Sequence, residues 1–95
     1  MTTLIIAGNH RQYDNWIAEK RYYGGFSFRI GDYQYVSSAD RLRGRSDPKG
    51  VFIGTWYERS DIREILTMLL AMTRHNNDGI LRAIKIYGEY VNGRQ

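Results

Sequence analysis

Cysteine is absent from the 95 residues, so the chain holds no disulfide and no thiolate metal site. It also lacks a long apolar run, since no stretch approaches the roughly 20 residues that a membrane-spanning helix needs. No leader peptide is expected at the start, where Thr2 and Thr3 precede only a short apolar run and no basic region leads it. These absences predict an intracellular protein with no membrane partner. The phosphate-cradling patterns Gly-x-Gly-x-x-Gly and Gly-x-x-x-x-Gly-Lys-Ser/Thr are missing, and no serine stands in a nucleophile elbow. The two histidines come without a tight carboxylate cluster, so neither a metal nor a cofactor is expected.

What is present is ordinary for one soluble domain spanning residues 1–95: 42% hydrophobic and 25% charged residues. A chain of this size buries roughly 60–65% of its unfolded surface, enough for a modest core. Fourteen Lys and Arg against ten Asp and Glu leave a net charge of +4. The basic residues are mostly arginine, which suits phosphate or carboxylate recognition better than plain solubility requires.

Two segments read alike. Leu4-Ile5-Ile6-Ala7-Gly8-Asn9 and Val51-Phe52-Ile53-Gly54-Thr55-Trp56 are short apolar runs that end in glycine and lead into helical patterns. A continuous apolar run suits a strand covered on both faces, as in a parallel sheet. The first strand is expected over 3–7, followed by a helix to about Lys20. Asn9 serves as its N-cap and Gln12 completes a capping box. Tyr22-Tyr23-Gly24-Gly25 reads as a break. Phe26, Phe28 and Ile30 then alternate with polar residues, and Gly31-Asp32 fits a two-residue hairpin turn. That gives an edge strand over 26–30, with an ordered loop as the other reading, and a strand over 33–37.

A short helical turn is expected from Ala39 to Arg43, capped by Ser37 or Ser38 and stopped by Gly44. The second buried strand is placed at 51–55. Ser60 is expected to cap the longest helix, Asp61 to about His75, whose broad apolar face includes Ile62, Ile65, Leu66 and Leu69. Ala83 to Tyr87 alternates like a final strand, although Ile80 to Ile84 also suits a helix. The order β-α-(β)-β-α-β-α-β predicts a small three-layer Rossmann-like or flavodoxin-like α/β domain with a mostly parallel sheet and an optional edge strand or hairpin. Right-handed crossovers put the strands at 33–37 and 51–55 on opposite sides of the first.

Such a sheet brings the two glycine-ended turns together at its C-terminal edge, where α/β folds hold ligands. Asn9, His10, Arg11, Thr55, Trp56, Tyr57 and Arg59 are therefore the candidate ligand-binding set. A helix N-terminus and two arginines suit a phosphate, and Trp56 or Tyr57 suits a base. The competing reading makes Gly8 and Gly54 turn glycines, Asn9 a cap and Trp56 a packed ring. His10 and Asp14 share a helix face, as an acid–base pair would, but equally as a surface pair. Arg41, Arg43, Arg45 and Lys49 form the densest basic cluster, a candidate nucleic-acid grip with Tyr33 and Tyr35 nearby in sequence. Its competitor is a solvated loop of local Asp–Arg pairs. Eight tyrosines are many for this length. Those left exposed beside arginine compose a protein-binding surface that needs no pocket.

The segments Leu4–Asn9, Tyr35–Gly44 and Val51–Arg59 resemble small uncharacterised proteins of phages infecting actinobacteria. Those carry an "AGN" strand end, a "YVSS…LRG" segment and a "GTWY-R" strand end. The likeness covers about half the chain, which departs from it over Gly24–Asp32. It implies a Rossmann-like fold and an accessory role in the host cytoplasm, without assigning an activity or functional residues. The expected function is non-enzymatic binding of a host macromolecule, a protein first. A nucleotide or phosphate ligand at the crevice and a nucleic acid on the arginine loop are the alternatives. A homodimer through the 26–30 edge is a further candidate.

Overall fold

The computed structural model describes residues 3–25, 28–45, 48–73 and 78–93. Strand β1 (Thr3–Ile6) is flanked by β2 (Tyr33–Tyr35) and β3 (Lys49–Phe52), both parallel to it, in the order β2-β1-β3. Helices α1 (His10–Gly24), α2 (Ile62–Met72) and α3 (Asp78–Gly93) complete the layers. The two apolar runs do lie side by side and point the same way. Strand β1 is buried, whereas β3, expected to be buried as well, is only half-buried because it is an end strand.

Alternation along β1 sorts the core. Leu4 and Ile6 face α2 and α3, where they pack with Val36, Leu42, Ile65, Leu69, Ile80 and Ala83. Ile5 faces the other way, towards α1, together with its β2 neighbour Tyr35. Rings of α1 meet β2 there: Trp16 lies 5.3 Å from Tyr33, and Tyr13 lies 5.5 Å from Tyr35. Burial of Ile62, Ile65, Leu66 and Leu69 on α2 contributes about 1.5–3 kcal/mol each, which anchors that layer. The step from β1 to β2 runs one way across the sheet, and the step from β2 to β3 runs back. Right-handed connections must then lie on opposite faces. Accordingly α1 covers one face, and the 3-10 turn Ala39–Leu42 covers the other.

Several expected boundaries move. Helix α1 runs past Lys20 to Gly24 and ends only where Gly25 takes φ +56. Tyr22 and Tyr23 are therefore helical, because one glycine at the C-terminus is tolerated and the second reverses the chain. Phe28 and Arg29 are not strand and Ile30–Asp32 is a 3-10 turn, while 26 and 27 fall outside the described residues. No hairpin forms among the described residues, and no strand runs over 28–30 of the edge expected at 26–30. Phe28 instead stacks on Tyr33, 5.7 Å between centroids. β3 starts at Lys49 and ends at Phe52, since Gly54 already turns the chain at φ +60.

Asp61, not Ser60, holds the N-cap position of α2, and its side chain makes no cap bond. Helix α2 ends at Met72, and His75 falls outside the described residues. The expected strand at 83–87 is the middle of α3, at 16 residues the longest helix described. Ile80, Ala83, Ile84 and Tyr87 repeat every three or four residues and pack on the core. That spacing outweighs a brief alternation.

Candidate functional site

The C-terminal edge of the sheet brings both glycine-ended turns together, and the space between them is filled. Asn9 adopts extended backbone before α1, and its Oδ1 accepts the N–H of Gln12 at 2.9 Å. Gln12 does not return a capping-box bond. Its Oε1 instead accepts from the backbone N–H of Gly8 at 2.8 Å and of Thr55 at 3.0 Å. Its Nε2 donates to Thr55 Oγ1 at 2.7 Å. One amide thus stitches the β1 and β3 turns together where a ligand was expected. The close approach explains both glycines. A Cβ on Gly8 would stand 2.6 Å from Gln12 Oε1, and one on Gly54 would also strike that amide.

Arg59 is engaged just as fully. Its Nε and Nη2 donate to the two carboxylate oxygens of Asp61, at 2.9 and 3.0 Å. Nη1 donates to the carbonyls of Ala7 and Val36, at 3.1 and 2.6 Å, and Nη2 donates to that of Ser37 at 3.1 Å. A guanidinium has five N–H donors, and each is spoken for. The side chain is 7% exposed and lies over the Tyr35 ring. Arg59 therefore ties the ends of β1 and β2 to the segment entering α2, and Asp61 neutralises it. This also explains why Asp61 cannot cap α2.

The remaining predicted residues disperse. Trp56 is buried against Phe52 and Tyr57, 4.9 and 5.5 Å between centroids, and belongs to the core. Tyr57 leans on Tyr90 of α3 at 4.7 Å. Neither ring faces the crevice, so the expected base-stacking platform does not form. Arg11 is exposed on α1. His10 lies edge-on to Tyr35 at 5.1 Å, and its Nδ1 meets Asp14 Oδ2 at 3.0 Å. Burial, and then the charge of Asp14, push the Tyr13 hydroxyl above its usual pKa.

An open depression of about 330 Å³ does exist, but between the ends of β1 and β2, beside His10, Tyr35, Ser37 and Ser60. With Arg59 committed to Asp61, it offers hydroxyls and an imidazole rather than a concentrated charge. Among the described residues no group of three His, Cys, Asp or Glu is placed to hold a metal ion.

The basic cluster is also tied down locally. Arg43 pairs with Asp40 at 3.3 Å, both exposed, and Arg41 reaches Ser37 Oγ at 3.4 Å. Arg45 donates from Nε to the Arg41 carbonyl at 3.0 Å and from Nη2 to Gln34 Oε1 at 2.5 Å. Lys49 is exposed at the start of β3. Gln34 faces the α2 layer with Leu4, while Tyr33 and Tyr35 face α1. The sheet therefore separates the arginine loop from the tyrosines that were to stack bases beside it.

Among the described residues, the most exposed aromatic side chains lie at the far end of α1. Tyr22 and Tyr23 are 81% and 79% exposed and touch edge-on at 5.0 Å. Nearby, Lys20 sits over Trp16 and Arg21 over Phe28, at 5.4 and 6.0 Å from the ring centroids. Sequence reading took this tyrosine pair for a chain break. The apolar spacing of Tyr13, Trp16 and Ile17 stops at Lys20-Arg21, so no local signal carries the helix through the pair. Gln12 and Arg59 were missed as internal ties because their partners lie 43 and up to 52 residues away. Comparison with family models, curated proteins and solved structures found no match to this chain.

Proposed function

We propose that this chain is a non-enzymatic binding protein whose partner is another protein. On the resemblance to small phage proteins, it is an accessory factor acting in the cytoplasm of an actinobacterial host. The observation that carries the reading is the exposed pair Tyr22 and Tyr23 in the last turn of α1. Tyrosine and arginine are the residue types that dominate protein interfaces, because they give much contact area for few rotatable bonds. The faces of Trp16 and Phe28 already carry Lys20 and Arg21, which favours a protein surface over stacked bases.

A nucleotide or phosphate ligand between the β1 and β3 turns is the weaker reading, since Gln12 fills that space and Arg59 has no donor left. Nucleic acid on the arginine loop is weaker still, given the partners of Arg41, Arg43 and Arg45. The test is affinity capture from host lysate with the native protein and with a Tyr22→Ala/Tyr23→Ala double variant. A reproducible protein partner that the variant loses supports the reading. No partner, or capture abolished by nuclease, overturns it.

A further inference from the structure

We infer that the outer edge of β3 is a self-pairing interface, through which two copies of the chain join their sheets into one of six strands. The backbone carries this inference. Ile53 donates its N–H inward to the Ile6 carbonyl at 3.0 Å. By the alternation of a strand, Val51 and Lys49 also face β1, and the N–H and C=O groups of Gly50 and Phe52 point outward. β3 is an end strand of the sheet. An edge of this kind is a template for another strand unless something blunts it.

Pro48 removes one outward donor just before the strand and Lys49 puts a charge on its first residue, so the stretch left unblunted is Gly50–Phe52. Apolar hollows open on both sides of the edge. One, of about 290 Å³, lies towards α3 beside Phe52, Ala83 and Ile86, and Ile86 is 42% exposed. The other, of about 510 Å³, lies towards α1 beside Trp16 and Ile53, with Gln12, Asn15 and Glu19 as its polar wall. That second hollow exists because α1 alone covers its face of three strands.

The occupant is a second copy because the strand complements itself. A two-fold axis through Val51 places Gly50 opposite Phe52 of the second copy, both with outward-facing bonding groups, so the pair exchanges N–H···O bonds in each direction. The same register sets a bare glycine beside each phenylalanine. Lys49 falls opposite Ile53 of the second copy, so like charges never meet. The two Val51 residues form the non-bonded pair on the axis, with Cα atoms about 4.5 Å apart.

That spacing suits a disulfide, and the native chain has no cysteine to compete. The experiment pairs sedimentation of the native protein, from micromolar to millimolar concentration, with oxidation of Val51→Cys. A control places cysteine at Leu70, exposed on α2. A native dimer and a Val51→Cys disulfide dimer, with Leu70→Cys left monomeric, are expected. Val51→Asp sets two carboxylates across the axis and should give a monomer with unchanged circular dichroism. If Val51→Asp does not fold, the cysteine pair still decides. A native monomer throughout the range overturns the inference, as does a dimer trapped through Leu70→Cys or one that Val51→Cys fails to trap.

Discussion

The two ends of α1 treat their chemistry in opposite ways. At the N-terminal end, beside the C-terminal edge of the sheet, the groups best suited to grip a ligand are spent on the protein itself. Gln12 joins two turns, and Arg59 joins two strands to the entry of α2. At the C-terminal end Tyr22 and Tyr23 stand almost fully in solvent. The contrast teaches that chemical richness at a sheet edge is no measure of function until its donors are counted. An arginine with five internal acceptors is a structural member, whereas an exposed ring pair at a helix end has contact area to give.

The contrast breaks first if Arg59 proves dispensable. Arg59→Ala leaves the Ala7, Val36 and Ser37 carbonyls and the Asp61 carboxylate without their donor. Asp61 is 27% exposed, so water relieves part of the loss, and removing the guanidinium costs about 3 kcal/mol, the low end for a buried pair. Denaturant unfolding should show that loss, and Arg59→Lys should recover little, because a lysine has no planar fork. A loss below about 1 kcal/mol would place Arg59 among surface residues and return it to the ligand-binding candidates.

Gln12 comes next. Gln12→Ala leaves the N–H groups of Gly8 and Thr55 without an acceptor, a cost of about 1–3 kcal/mol. Gln12→Glu should be milder, since a carboxylate accepts the same two N–H groups and the Thr55 hydroxyl can rotate to donate. If instead Gln12→Ala is neutral and the protein then gains stability with added nucleotide, the filled crevice is a site held shut. Tyr22→Ala/Tyr23→Ala tests the other end. Stability should stay within about 0.5 kcal/mol while partner capture is lost, a separation that a packing role for these rings would not give.

How far these regions were legible follows from where each signal lies. Strand β1 was readable because burial on both faces writes itself locally, as Leu4-Ile5-Ile6. Val51-Phe52-Ile53 reads the same but belongs to a half-buried end strand, so its apolar run marked a strand without marking its depth. The flanking order β2-β1-β3 followed from handedness alone. Residues 83–87 misled because alternation and helical spacing coincide over five residues. Only a window reaching from Ile80 to Tyr87 separates them. The hairpin reading of Gly31-Asp32 failed because turn chemistry says where the chain bends, not which strand it will join. Asn9 as a cap was legible, being a contact three residues long, and its neighbour Gln12 was not, since the amide chose a partner 43 residues away.

The finest distinction concerns Tyr13, which sits between the two ends of α1. Its hydroxyl reaches the Tyr33 carbonyl at a long 3.5 Å, so Tyr13→Phe should cost no more than about 0.5 kcal/mol at neutral pH. The pH dependence says more. Burial, then the Asp14 charge, raise the folded-state pKa above the ordinary 10.0, so the neutral phenol is favoured by folding. Below pH 10.0 that contribution is fully present, and it fades as pH climbs through the raised folded value. Native Tyr13 should therefore ionise above pH 10.0 in a titration followed by phenolate absorbance, and Tyr13→Phe should remove that late step. Asp14→Asn should shift the step to lower pH without erasing it, because the carboxylate is the smaller of the two causes. A late step that vanished with Asp14→Asn would make the charge dominant, and the floor of α1 beside His10 would then be wetter than the packing of Tyr13 on Tyr35 implies.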